Sequence, residues 1–263
     1  MSIPKKIHYC WFGHGQKSEL VERCIASWRR YCPDCEIIEW NESNYDVTKN
    51  EYMYQAYQAK RWGFVSDYAR LDIVYTHGGI YLDTDVELVR NIDILFEENG
   101  FIGFESKMKS DQTAYTVNTG QGFGAPAEHG IIKKMRDVYD TLSFVLADGT
   151  QNLQPCPFYN TAVLVESGGL IPDNTLQVID GITVYPAEYF CPVNWVNKKC
   201  VITDHTYSIH HFNASWLSAE EKRKREWARH LDDAVHLPNR VLKKVLGTAA
   251  YERLKKTLRG TKS

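Results

Sequence analysis

Two carboxylates one residue apart, Asp83 and Asp85 in the run GGIYLDTDVE, are the residues of this 263-residue chain best suited to chemistry. Side by side without a cation they would repel, and at least one would resist ionisation, so the pair makes sense with a divalent ion between it and something negative. Oxygen ligands suit Mn²⁺ or Mg²⁺, which keep open positions for substrate phosphates, so the pair points to nucleotide-diphosphate chemistry. Upstream, Asp67 and Arg70 have the i, i+3 spacing that puts two side chains on one helix face, within reach of each other or of a shared ligand. Far downstream, in YSIHHFNASW, His210 and His211 stand together; a neutral imidazole can complete a metal's ligand set, and Ser215 and Trp216 just beyond are placed to close over a diphosphate. D-x-D is a short and common pattern, and paired histidines are more often packed or solvated than ligating. The surrounding segments have to decide.

Positioning these groups takes a helix, a stop and a strand. Phe64, Tyr68, Leu71 and Tyr75 recur at helical steps, the stripe of a helix packed on a core, with Ser66 as its candidate cap. Gly78 and Gly79 stop it, because glycine accepts left-handed backbone at little cost. From Ile80 to Val86 a strand is expected, with Ile80, Leu82 and Val86 on one face and Tyr81, Asp83 and Asp85 on the other.

Earlier in the chain, Ile3 to Phe12 alternates as a first buried strand, Leu20, Cys24, Ile25 and Trp28 fit a covering helix, and EIIEW from Glu36 to Trp40 is a second strand. Strand, helix, strand implies a parallel, Rossmann-like beginning. Ligands of such sheets bind beyond the carboxyl ends of the strands, so Trp11, Phe12 and Gly13 belong at the mouth of a site. Spacing alone leaves Trp11 equally suited to stacking on a base and to filling the core under the first helix. His8 reads as a packed strand residue. The tyrosines between Asn41 and Arg61 fit the core of a short helical insertion. Asn118 to Gly124 (NTGQGFG) lacks the ending of a P-loop and the spacing of a dinucleotide fold, and its glycines are expected to let the backbone pass close to a sugar. Beyond it come an amphipathic helix from Ile131 to Val145, another helix from Cys156, and an edge-like strand from Ile182 to Pro186.

A hydrophobic content of 43% over this length suits one α/β domain with a small appendage, and a net charge of −2 gives no global field for nucleic acid. The balance is uneven: Ala219 to Ser263 holds 13 Lys and Arg against 6 Asp and Glu. Within that tail, residues 239–258 read as a basic amphipathic helix, fit either for an anionic membrane surface or for packing on its own domain or a second subunit. No apolar run approaches the roughly 18 residues of a membrane span, and the N-terminus lacks the apolar core of a signal peptide. The expected location is the cytoplasm, with peripheral contact at the inner face of the membrane through the tail. Seven irregularly spaced cysteines suit reduced thiols, and Cys32-Pro-Asp-Cys35 lacks the second pair a zinc site needs.

The order S-D-x-x-R, helix, G-G-I-Y-x-D-x-D, here Ser66, Asp67, Arg70, Gly78, Gly79, Ile80, Tyr81, Asp83 and Asp85, resembles the family 32 glycosyltransferases and, more distantly, the glucosyltransferase domains of the large clostridial toxins. The opening I-P-K-x-I-H-x-x-W-x-G and the run H-H-x-x-x-S-W are similar to the same enzymes, and the resemblance spans Ile3 to Trp216. It implies a single-domain α/β GT-A fold, residues 1–218; the helical tail, residues 219–263, is read from its own charge and apolar pattern and lies outside the resemblance. It also implies a retaining, metal-dependent transfer of a sugar from a nucleotide-diphosphate donor, a UDP-sugar favoured, to a hydroxyl of a glycan or lipid-linked acceptor, as in capsule or exopolysaccharide synthesis. By the same resemblance Asp83, Asp85 and His210 hold Mn²⁺ or Mg²⁺, and Asp67 and Arg70 grip the donor sugar. Trp11 and Tyr81 then take the nucleoside, and Ser215 and Trp216 the phosphates. By the same resemblance His210 is preferred to His211; neighbours on a strand face opposite ways, so only one of the two can ligate. Where the toxins use an acidic residue in this region, the chain has none. Two rivals stand beside this reading. One is a phosphohydrolase of the haloacid dehalogenase type, whose site also opens on D-x-D, although Glu87 occupies the place usually held by Thr or Val. The other is a sugar-nucleotide-binding subunit without turnover.

Overall fold

The computed structural model describes residues 2–105, 114–194, 199–213 and 223. Strand β1 (Lys6–Cys10) leads into helix α1 (Glu19–Tyr31) and strand β2 (Glu36–Trp40), and β1 and β2 pair in parallel with Ile7 opposite Ile37. Ser18 caps α1 by accepting the Val21 N–H, and Val21, Cys24, Ile25 and Trp28 form its buried face. Helices α2 (Glu51–Gln58) and α3 (Trp62–His77) follow, and β3 (Gly79–Tyr81) then joins the other side of β1 in parallel, with Ile7 opposite Ile80. Because β2 and β3 flank β1, the strand order reverses at β1, and the crevice beyond the carboxyl ends of β1 and β3 is where ligands of such sheets bind.

After β4 (Val86–Leu88), strands β5 (Phe101–Glu105), β6 (Thr116–Val117) and β7 (Phe123–Ala125) extend the structure. Helices α4 (Gly130–Asp137) and α5 (Cys156–Gly168) precede the hairpin of β8 (Gln177–Ile179) and β9 (Ile182–Tyr185). The main sheet has the order β2-β1-β3-β7-β5-β9-β8, with β7 antiparallel to both neighbours and β6 paired to β5. A short hairpin, β10 (Val193–Asn194) and β11 (Lys199–Cys200), comes next, and β12 (Ser208–His210) pairs antiparallel with β4 so that His210 lies opposite Val86. This is the mixed α/β domain expected of the GT-A fold.

The two faces of the sheet carry separate apolar clusters, one containing Val65, Leu71, Val74, Tyr81, Phe123 and Leu164, the other Ile7, Trp28, Ile80, Leu82 and Val86. Helix α3 packs against α2, α4 and β1, and buries residues all round: Val65, Tyr68, Ala69, Leu71, Ile73 and Val74, together with Asp67, Arg70 and Asp72. The one-sided stripe expected for it is therefore too narrow, and Phe64 and Tyr75 are only half-buried. Fully burying Leu71 or Val74 is worth about 1.5–3 kcal/mol each.

Four expectations need correction. Ser66 does not cap α3, which begins at Trp62; its hydroxyl donates to the Trp62 carbonyl one turn back. The segment from Ile80 to Val86 is not one strand: the Val86 N–H donates to the Asp83 carbonyl (2.9 Å) and closes a turn, while the Trp28 indole and the Ser27 hydroxyl pin β4 separately at Val86 O and Leu88 N. The helix from Ile131 ends as α4 at Asp137 and a short 3₁₀ turn, and Phe144 leaves the helical path to pack on Tyr52 and Phe64. Strand β9 is interior, between β5 and β8, with Ile182 and Val184 buried. The glycine stop is as expected: Gly78 adopts φ 61° directly after His77, and His8, fully buried, donates from Nε2 to the Gly78 carbonyl (2.8 Å).

Contacts divide the chain into Met1–Asn213 and Ala214–Ser263. Ser215, Trp216 and the amphipathic run 239–258 lie outside the described residues. Among the described residues no helix is long and apolar enough to cross a membrane.

Candidate active site

The turn after β3 lifts Asp83 and Asp85 off the strand instead of leaving them side by side on one face. Asp83 is held from three sides: the Tyr81 hydroxyl donates to Oδ1 (3.0 Å), Arg70 Nη2 lies 3.4 Å from the same oxygen, and its backbone N–H donates to Gly120 O (3.0 Å). Asp85 faces β12. Its Oδ1 is 3.2 Å from His210 Nε2, its Oδ2 accepts the Asn213 N–H (2.8 Å), and its carbonyl accepts the His211 N–H (3.0 Å). The antiparallel pairing of β12 with β4 delivers His210 to this spot and turns His211 to Glu87 (2.8 Å).

Asp83, Asp85 and His210 each present one ligand atom within 4.8 Å of the others. Burial pushes the Asp83 carboxyl up; Arg70 opposes this and Asp85 adds to it. Burial would raise Asp85 too, but His210 and the Asn213 N–H outweigh it and hold that carboxyl below its usual range. Burial disfavours charge on His210, yet Asp85, helped by Asp83 and Glu105, raises its pKa. The ring is held against Asp85 through Nε2, while its Nδ1 is buried without a partner. Two carboxylates, an imidazole and an orphaned ring nitrogen fit a divalent metal of the Mn²⁺ or Mg²⁺ kind.

Asp67 and Arg70 meet as their spacing implies, with Nη2 3.0 Å from Oδ1. Burial lifts the Asp67 carboxyl to about 6, with Arg70 and Cys156 opposing and Asp83 adding. Burial disfavours the Arg70 guanidinium, but Asp83, Tyr81 and Asp67 overcompensate and fix its charge. Tyr81 packs beneath the two carboxylates. It is 1% exposed, with Arg70 over its ring and its hydroxyl spent on Asp83, so it supports the site from beneath.

Trp11 lies one residue past Cys10, which neighbours Arg70, Tyr81 and Asp83. It is half-buried on the wall of a cavity of about 710 Å³ shared with Lys17, Glu39, Asn41 and Glu42, and its indole donates to Gly15 O (2.7 Å). Lys17 sits over the ring at 5.6 Å and pairs with Glu39 at 2.8 Å. None of Asp67, Arg70, Asp83, Asp85 or His210 lines this cavity.

Within the glycine-rich run, Gly120 packs against the candidate site itself. A β-carbon on Gly120 would overlap Asp83 Oδ2 and stand 2.9 Å from Arg70 Nη1, so this glycine makes room for the protein's own charged groups. Asn118 fixes it, accepting the Gly120 N–H (2.7 Å) and donating to the buried Glu105 (2.8 Å). Glu105, Asn118 and Cys156 belong to the site's surroundings and carry no sequence signal of their own.

Residues 18–102 match the family model described as the glycosyltransferase sugar-binding region containing the DXD motif, a span that includes Asp67, Arg70, Asp83 and Asp85. The chain carries a glycosyltransferase region. It is an enzyme of the transferase class. No curated protein matches the chain. Among solved structures, the PaToxG glycosyltransferase is 20% identical, with 63% of this chain and 70% of that one covered at a TM-score of 0.49. A glycosyltransferase involved in glycosylating the major capsid of PBCV-1 is 14% identical, covering 84% and 98% at 0.45. The galactosyltransferase LgtC, in complex with donor and acceptor sugar analogues, is 12% identical, covering 83% and 94% at 0.39.

Proposed function

We infer that this glycosyltransferase is a metal-dependent, retaining enzyme of the family 32 type that takes its sugar from a nucleoside diphosphate, with UDP-sugars favoured. The observation that supports this most is the convergence of Asp83, Asp85 and His210, with ligand atoms within 4.8 Å of one another, beside the point where the sheet reverses its order. These three would hold Mn²⁺ or Mg²⁺, and the bound ion supplies charge compensation for the departing diphosphate. Asp67 accepts hydrogen bonds from donor-sugar hydroxyls and Arg70 donates to its oxygens. Trp11 stacks on the base in the neighbouring cavity. By the family resemblance, Ser215 and Trp216 would take the phosphates.

In the transfer, the bond from the anomeric carbon to the diphosphate oxygen breaks while a bond to the acceptor oxygen forms on the same face, and the acceptor proton passes to the departing phosphate oxygen. The acceptor is a hydroxyl of a glycan or lipid-linked oligosaccharide, in capsule or exopolysaccharide synthesis. The basic run 239–258 would hold a cytoplasmic enzyme against an anionic inner membrane face.

Purified protein with Mn²⁺ and a panel of UDP- and GDP-sugars tests the proposal. Slow nucleotide release from one donor, lost with chelator and in Asp83→Asn and Asp85→Asn, is the expected result. Release from none contradicts it, and tight donor binding without turnover across many acceptors would favour a non-catalytic subunit. An inverted product, or a trapped covalent glycosyl-enzyme, would overturn the same-face transfer.

A further inference from the structure

The loop that accepts the Asp83 N–H is strapped to three consecutive residues of β5. The Asn118 N–H donates to Gly103 O (3.1 Å), the Gln121 Nε2 to Phe104 O (2.8 Å), and the Asn118 Nδ2 to Glu105 Oε2 (2.8 Å). Glu105 Oε1 accepts the Thr116 hydroxyl (2.9 Å) from the paired strand β6. On its other side the loop meets Asp83: the Gly120 N–H donates to Asn118 Oδ1 (2.7 Å), and Gly120 O accepts the Asp83 N–H (3.0 Å). Every link from Thr116 to Asp83 lies within the ordinary range of a hydrogen bond. The backbone sets their direction. A main-chain N–H can only donate, so Asn118 must turn Oδ1 to Gly120, and its Nδ2 is left to donate to Glu105.

Glu105 is 8% exposed, Asn118 7%, and Gln121 is fully buried. A buried carboxyl group is costly to keep, and among the described residues no lysine or arginine pairs with Glu105; its two oxygens take two neutral donors. Packing alone would be served by an apolar residue. We propose that Glu105 and Asn118 are positioning residues for the metal site: Glu105 fixes which way the Asn118 amide faces, Asn118 holds Gly120, and Gly120 holds the backbone of Asp83. In the sheet β7 separates β3 from β5, so the loop leading into β7 is what ties Asp83 to β5. With the amide reversed, Nδ2 would meet the Gly120 N–H donor to donor, and the loop would lose its hold. This inference rests on the reading of Asp83 as a metal ligand.

The test reads metal affinity in place of turnover. Mn²⁺ is titrated by calorimetry into the full-length wild type and three variants, with urea midpoints recorded on the same samples. Glu105→Met fills nearly the same space but offers the Asn118 amide no acceptor, and it should raise the Mn²⁺ Kd at least about tenfold, the usual loss when a group behind a metal ligand is removed. Glu105→Gln keeps an acceptor for that amide and can donate to Thr116 Oγ1, so its Kd should stay within about threefold of wild type. Asn118→Ala, which frees the Gly120 N–H, should match Glu105→Met or exceed it. A role in packing alone would leave methionine and glutamine alike. Wild-type affinity in Glu105→Met, or equal losses in Glu105→Met and Glu105→Gln, would overturn the positioning role alone; these two variants decide even where Asn118→Ala does not fold. Failure of wild type to bind Mn²⁺ overturns the reading of Asp83 as a ligand and the positioning role with it.

Discussion

Gly120 and Asp83 are tied through their backbones and pressed together at the side chain: the Asp83 N–H donates to Gly120 O over 3.0 Å, and no β-carbon fits between Gly120 and Asp83 Oδ2. The carboxylate that leads the D-x-D pair is thus placed by a residue chosen for what it lacks. Asp83 reaches its position only if the loop before β7 comes in close, and glycine is the residue that permits this.

Gly120→Ala should therefore damage the site more than the fold. The extra methyl meets Asp83, Arg70 and Asn118 together, and overpacking of this kind costs about 1–3 kcal/mol. Nucleotide release from the donor should fall at least about tenfold, the consequence of displacing a reacting group by a fraction of an ångström or more. Urea denaturation beside the activity assay checks both numbers, and unchanged turnover would contradict the packing argument.

His210 and His211 should separate cleanly. His210 is 5% exposed and faces Asp85, whereas His211 pairs with Glu87. His210→Ala should weaken Mn²⁺ binding at least about tenfold, and His211→Ala should leave it within about threefold, as expected for a ligand and a neighbour outside the ligand set. Equal effects measured by isothermal titration would count against the ligand set.

Much of this was legible in the sequence, and the misses share a cause. The helix stop at Gly78 and the meeting of Asp67 with Arg70 are local, fixed by backbone conformation and i, i+3 spacing, and both hold. The strand assigned to Ile80–Val86 failed at Asp83 because α1 pins β4 through Trp28 and Ser27, contacts far apart in sequence. Gly120 drew attention as a glycine, but nothing in NTGQGFG says that its neighbour is Asp83 and not a ligand. The resemblance assigns Tyr81 to the nucleoside; that its ring is buried under Arg70 depends on how the sheet is covered, which single-strand alternation does not reveal.

Stability should fall on mild acidification through His8. Burial holds its imidazole down, to about 4 against an ordinary 6.5, although the Gly78 carbonyl favours the proton. In the neutral form Nε2 donates to Gly78 O and Nδ1 accepts the Trp40 indole N–H (3.1 Å); a second proton would face that N–H donor to donor. The unfolded chain takes up a proton below 6.5 that the folded chain refuses until about 4, so stability present above 6.5 is lost as pH falls across that window. The loss is on the order of 3 kcal/mol at most. Urea midpoints between pH 7.5 and 4.5 should drop for wild type and flatten in His8→Gln; an identical slope in both would exclude His8 as the cause.

Arg70→Ala should be among the most destabilising single changes. It leaves Asp67 and Asp83 buried without their shared cation, and removing one partner of such a pair costs roughly 3–5 kcal/mol. Thermal unfolding at pH 7.5 and pH 5 checks it. Part of the loss should be recovered at pH 5, where Asp67, whose carboxyl already sits near 6, takes up a proton. A variant equally unstable at both pH values would speak against repulsion between the two carboxylates.

The most direct measurement of the central claim is the coupling of metal and nucleotide at Asp83, Asp85 and His210. UDP and GDP are titrated into the wild-type protein by calorimetry with and without Mn²⁺, and the series is repeated on Asp85→Asn and His210→Ala. The account predicts that Mn²⁺ tightens binding of one diphosphate at least about tenfold in wild type and by much less in either variant, because the ion bridges protein and phosphates. Nucleotide binding that ignores Mn²⁺, or a metal effect that survives both substitutions, would contradict it.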